Sequence, residues 1–223
     1  MTTTLTPPPV RRRLARRGIV LNLSWQGYER IGRAFQDRPI RITYDRGVVE
    51  IMTTSNKHER FKHLIRRLLE VLAEELNVEI YGAGSMTFKR KVLKKGLEPD
   101  ECYWIQNEPI VRGRTDYDIE RDPPPDLVLE VEISRSALNR MGIYAALKVP
   151  EVWRCNRKVL TVSRLADGEY QVVPRSFAFP FLDPAAILKF LNEQSPTGDL
   201  ALTKAFRAWI RDQQARGWPN GGV

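Results

Sequence analysis

The sequence predicts an α/β domain in which a mixed central β-sheet is flanked by helices. Three observations carry this reading. Strand-like and helix-like segments alternate along the chain. Leu127 to Ile133 is apolar almost throughout, as in a strand covered on both faces. Phe61, Leu64, Ile65, Leu68, Leu72 and Leu76 recur at helical spacing and make one apolar stripe. With 223 residues, 42% hydrophobic and 28% charged, the chain has the balance of a folded domain with a sizeable core, and its length calls for one domain.

The N-terminal segment, residues 1–22, combines threonines, three consecutive prolines and an arginine cluster, and reads as a basic, Pro-rich tail. The folded domain is expected over 23–190, and a C-terminal helix and tail over 191–223. Ser24 caps a helix that carries Trp25, Tyr28, Ile31 and Phe35, with Pro39 after its end. Ile40, Ile42 and Tyr44 alternate with polar residues, and Asp45-Arg46-Gly47 turns the chain into Val48 to Met52, so this segment reads as a β-hairpin. Asn56 and Glu59 form a capping box for the long helix. Val78 to Phe88, Cys102 to Ile105 and Leu127 to Ile133 read as strands, and Ser136 to Leu147 as a helix. Val149 to Cys155, Val159 to Leu165 and Tyr170 to Pro174 follow as strands, with Asp167-Gly168 as a turn, and Leu200 to Ala215 as an amphipathic helix.

The net charge of +9 favours polyanionic partners. Five of these charges, from Arg11, Arg12, Arg13, Arg16 and Arg17, fall in the tail with no acid beside them, so the body is only mildly basic at +4. The tail reads as a phosphate-binding arm, as a solubilising extension or, third, as an organelle-targeting segment. No apolar run approaches the roughly 20 residues needed to cross a bilayer, and Met1 to Pro9 lacks the apolar core of a secretory signal, so a cytoplasmic location is expected. Cys102 and Cys155 have neither the number nor the spacing of a zinc site or a disulfide framework, and read as buried thiols.

Two motifs carry candidate chemistry: Glu98-Pro99-Asp100 entering one strand, and Pro125-Asp126 leading into Leu127 to Ile133. Alternation places Asp126, Val128, Glu130 and Glu132 on one face of the latter strand. A carboxylate buried alone costs several kcal/mol or more, so Glu130 requires a cation, a basic partner or a proton. Asp100 and Glu130 brought together offer hard oxygen ligands suited to Mg2+ or Mn2+. The alternative is a buried ion pair with an arginine. Glu50, in the strand Val48 to Met52, is a third metal candidate or else a hairpin-edge charge. His58 and His63 stand five residues apart, pointing about 140° from one another on a helix, which rules out a zinc-protease pair.

Taken together, Gly47-Val-Val-Glu50, His58, Pro99-Asp100, Pro125-Asp126 to Glu130, and Tyr144-Ala-Ala-Leu-Lys-Val-Pro-Glu151-Val-Trp153 resemble the Uma-type restriction endonuclease family, from about Ser24 to Leu182. The resemblance implies a restriction-endonuclease-like fold of the PD-(D/E)XK superfamily and metal-dependent cleavage of phosphodiesters. Pro99-Asp100 then takes the place of the PD motif, and Glu130-Val131-Glu132 that of (D/E)XK. Glu132 stands where the motif lysine belongs, and Arg140 stands where members of this family shift that lysine. The resemblance thus implies Asp100, Glu130, Glu132 and Arg140 as catalytic residues, and Asp100, Glu130 and Glu50 as metal ligands. An arginine can stabilise phosphorane charge but stays protonated and cannot serve as a base.

Lys89, Lys91, Lys94 and Lys95 lie just before Asp100 and, with Arg11, Arg12 and Arg13, are the candidate nucleic-acid contacts. DNA is the expected partner and a membrane is not, with a homodimer allowed. Two other readings stand beside the nuclease: an inactivated nuclease fold that only binds nucleic acid, and an interaction scaffold using Leu202, Phe206, Trp209 and Ile210. For the last, simple packing against the domain is the alternative.

Overall fold

The computed structural model describes residues 18–36, 38–132, 136–194 and 198–218. They form two β-sheets rather than one, with helices packed on their faces. The first sheet is antiparallel and has the order β1 (Gly18–Asn22), β3 (Val48–Thr53), β2 (Ile40–Asp45), β6 (Lys95–Leu97), β5 (Phe88–Arg90). The second has the order β11 (Glu169–Val173), β10 (Leu160–Ala166), β9 (Glu151–Cys155), β8 (Leu127–Val131), β7 (Glu101–Trp104), β4 (Tyr81–Gly82). Only its β8 and β9 are parallel, so the sheet is mixed as expected.

The β2–β3 hairpin turns at Arg46 and Gly47, with φ of 47° and 98°. Two successive positive φ values are what a two-residue turn needs to match the strand twist. Asp167 and Gly168 repeat the device between β10 and β11, with φ of 50° and 83°. Helix α1 (Trp25–Ala34) is capped by Ser24, whose side chain accepts from the Gly27 N–H at 3.2 Å. Trp25 and Tyr28 pack with Ile42, Tyr44 and Val49 of the first sheet.

Helix α2 (Asn56–Leu76) is capped one residue earlier than the capping box suggests. Ser55 accepts from the His58 N–H at 3.2 Å, and Asn77 closes the other end in a left-handed conformation. Its stripe packs with Leu127, Leu129 and Val131 of β8, with α5 (Pro184–Gln194) and with α6 (Asp199–Ala215). The second face of β7 and β8 carries Cys102, Trp104 and Val128. These pack with Ile143, Tyr144 and Leu147 from the short helix α4 (Arg140–Ala146) and its end.

Several elements differ from the sequence reading. Residues 18–22, assigned to the tail, form edge strand β1 paired with β3. The strand expected over Val78 to Phe88 is broken into β4 and β5 around Gly84, whose φ of 61° turns the chain. Helix α5, together with the single turn α3 (Glu108–Val111), was not expected.

Candidate active site

The β7–β8 ladder runs from Tyr103 opposite Leu127 to Glu101 opposite Leu129 and stops there. Beyond it stands Pro99, which has no N–H to offer a neighbouring strand. Between Pro99 and the ladder's end, Asp100 turns its carboxylate onto β8 and accepts the Val131 N–H, so a side chain continues the bonding that the strand gives up. This register sets Asp100 beside Glu130, on the same face of neighbouring strands. Asp100 is 1% exposed and Glu130 8%.

Each acid is met by a cation from another element. Arg41 of β2 forms an ion pair with Asp100 Oδ1. His58, in the first turn of α2, places Nε2 3.1 Å from Oδ1 and 3.2 Å from Oδ2 of the same carboxylate, while its Nδ1 lies 3.1 Å from Glu59. Burial alone would raise the Asp100 carboxyl, but the His58 hydrogen bond, the Arg41 charge and the Val131 N–H outweigh it and hold the group below its ordinary value. Burial would likewise lower His58, and the bond to Asp100 reverses this, so the imidazole lies above its ordinary value.

Glu130 is gripped by α4. Its first residue, Arg140, and Tyr144 one turn later lie on the same helix face, and both donate to Glu130 Oε1. The Arg140 guanidinium also donates to Thr43 Oγ1 at 2.7 Å, to the Glu98 carbonyl at 2.7 Å and to Tyr144 Oη at 3.2 Å. Asn139 caps the helix by accepting from Gly142 N–H at 3.1 Å, which fixes where Arg140 starts. Burial drives the Glu130 carboxyl upward, and the adjacent Arg140 opposes it.

Over residues 25–195 the chain matches the family Uma2, described as putative restriction endonuclease, and that span is most of its length. The chain belongs to the Uma2 family. One solved structure similar to this Uma2 chain is that of a putative nuclease belonging to DUF820 from Anabaena variabilis. It is 13% identical, with 60% of this chain and 78% of that chain covered and a TM-score of 0.42. Comparison with the curated proteins gave no match.

Glu50, on β3 opposite Thr43, spends both oxygens on the chain after β8. One accepts from the Ser136 hydroxyl and the other from the Ala137 N–H at 2.6 Å. Glu132 is at the exposed rim and is held by Arg154 at 2.7 Å. Lys89, Lys91, Lys94 and Lys95 belong to the β5–β6 hairpin, at whose tip Val92 stands out in solvent. Lys95 is tied to Asp45 at 2.8 Å. Arg11, Arg12 and Arg13 lie outside the described residues.

The sequence placed His58 and Tyr144 in the family resemblance without a role at the site, and it did not single out Arg41 or Thr43; all four belong to this cluster. A signal for Arg41 and Thr43 was present: they alternate with Ile42 and Tyr44, so a polar face had to look away from α1.

Among the described residues, no three of His, Cys, Asp and Glu gather as a metal-holding group. Magnesium needs no such cage. It is held by one or two carboxylates while waters and substrate phosphate oxygens complete its shell. Two hard-oxygen donors of like charge on neighbouring strands therefore fit a divalent ion in kind.

Proposed function

We propose that the protein is an endonuclease that hydrolyses DNA phosphodiester bonds with Mg2+ or Mn2+ held by Asp100 and Glu130. The observation that supports this most is the placing of two buried carboxylates side by side at the end of the β7–β8 ladder, within a chain of a nuclease family. A divalent ion bound there supplies Lewis acidity at the scissile phosphate and lowers the pKa of a water. The protein's own residues do the rest. Tyr144 and Arg140 orient Glu130, and Val131 N–H and His58 orient Asp100. Arg140, in the place of the motif lysine, gives a fixed positive charge beside the phosphate but takes no proton. Among the described residues, the imidazole of His58 is the group bonded to Asp100 that can exchange a proton near neutral pH. The hairpin lysines Lys89, Lys91 and Lys94 contact backbone phosphates. No described helix is long and apolar enough to cross a membrane, and the reading includes a cytoplasmic location. It also includes a homodimer that would bring two sites to the two strands of a duplex.

Supercoiled plasmid incubated with the protein and Mg2+ or Mn2+ is expected to be nicked or linearised, with EDTA abolishing the reaction. Asp100→Asn and Glu130→Gln should each slow it by about 100-fold or more. Cleavage that survives both substitutions overturns the assignment.

A second reading, a nucleic-acid-binding module without turnover, is favoured by the ion pairs that already neutralise both acids. It is distinguished by DNA binding that falls steeply with salt and by no metal-dependent cleavage.

A further inference from the structure

Asp100 and Glu130 bring two negative charges, and Arg41 and Arg140 bring two positive ones, so the pairs balance to zero. A divalent cation entering such a buried cluster would leave it at +2, an arrangement that low-dielectric surroundings resist strongly. Entry therefore requires that an arginine leave or that an anion arrive. A phosphodiester is that anion.

The two arginines are not equally free to move. Arg140 donates to Glu130, Thr43, the Glu98 carbonyl and Tyr144, so releasing it breaks several bonds at once. Arg41 is about equally exposed, at 13% against 15% for Arg140, but among the described residues its guanidinium is held by its ion pair with Asp100 alone. Asp100 does not become bare when Arg41 departs. The hydrogen bonds from His58 and the Val131 N–H both fall on Oδ2, whereas Oδ1, with His58 Nε2 at 3.1 Å, has no hydrogen bond among the described residues and carries the ion pair to Arg41. One residue can thus leave, and its leaving gives up the ion pair on an oxygen that accepts no hydrogen bond.

We propose that Arg41 is a hand-over residue, which pairs with Asp100 in the free protein and transfers to a nucleic-acid phosphate on binding, thereby opening Asp100 Oδ1 to the divalent ion. Nucleic acid and metal then bind with positive coupling, and by linkage each tightens the other by the same factor. The free enzyme has a poor metal site and acquires a good one only with substrate in place. This rests on the reading of Asp100 and Glu130 as metal ligands.

The test measures Mn2+ affinity of the full chain by electron paramagnetic resonance of free Mn2+, counting only binding that Asp100→Asn removes. It is run alone, with a phosphorothioate duplex that keeps its charges and resists cleavage, and with an uncharged methylphosphonate duplex. The charged duplex should tighten Mn2+ about tenfold or more and the uncharged one by less than twofold. Arg41→Gln should bind Mn2+ tightly without DNA and lose most of the enhancement, whereas Arg140→Gln should not reproduce this. Equal Mn2+ affinity with and without the charged duplex, or equal tightening by the uncharged one, overturns the hand-over while leaving the metal site standing. Undiminished coupling in folded Arg41→Gln does the same. If Arg41→Gln does not fold by circular dichroism, the two duplexes on the natural chain decide. No Asp100-dependent Mn2+ binding under any condition removes the metal reading itself, and the hand-over with it.

Discussion

Glu130 shows how much of this site is settled by single side chains. Its carboxylate is buried against α4, and the Arg140 guanidinium is its counter-charge. Removing one partner of a buried pair costs about 3–5 kcal/mol because the other charge stays behind unpaired. Arg140→Gln is therefore expected to lower unfolding free energy by about that amount in urea titrations. Tyr144→Phe, which leaves the ion pair in place, should cost only about 1 kcal/mol for its hydrogen bond. The His58–Asp100 pair sets a pH window. The imidazole lies above its ordinary value in the folded chain, so its stabilising contribution is complete below pH 6.5 and fades as pH rises through the folded value. The carboxyl lies below its ordinary value, so its contribution is complete above about pH 4 and fades as pH falls through the folded value. Thermal unfolding of the natural chain should lose stability on going alkaline from pH 6.5, and His58→Ala should flatten that decline. The presence of acids in apolar strands was legible in the sequence, and so was Arg140 in the place of a lysine. That Arg41 and His58 reach Asp100 was not, because those contacts span 59 and 42 residues of chain and depend on how a second sheet and a helix start are set against β7.

At the scale of elements, the position of the site depends on short devices that place strand ends. Positive-φ hairpin turns, the Ser55 cap and the Asn139 cap all follow local rules, and the hairpins and α1 could be read directly from sequence. The break between β4 and β5 could not be, since Val78 to Phe88 is strand-like in composition and only the Gly84 turn interrupts it. Strand β6 carries another constraint. Gly96 pairs with Tyr44 and lies under the Tyr28 ring, where an added Cβ would meet Cζ at 3.0 Å and press still closer on the hydroxyl. Tyr28 is itself stacked on Tyr44 and edge-on to Trp25, so it has little room to give. Gly96→Ala is expected to destabilise by about 1–3 kcal/mol, the usual cost of overpacking, as read from denaturant midpoints. An unchanged midpoint would show that α1 yields. Because β6 leads through Glu98 and Pro99 into Asp100, the same variant should also disturb the site.

Over the whole molecule, one sheet brings Arg41 and Thr43 while the other brings Asp100 and Glu130, and the cluster forms where they meet. The sequence foretold a mixed sheet with helices around it. The division into two sheets was hidden, because an antiparallel hairpin reads identically whether it extends a neighbouring sheet or starts its own. That division gives the acids cationic partners from outside their own strands, and hence a resting state in which charges are balanced. The central claim is that Asp100 and Glu130 share a divalent ion when a phosphate is present. Crystals of the protein with a phosphorothioate duplex and Mn2+ test it most directly, through the anomalous signal of manganese. A peak between Asp100 and Glu130, with Arg41 moved onto a phosphate oxygen, is the result expected. A bound duplex with both arginines still on their carboxylates, and no manganese between them, would contradict it.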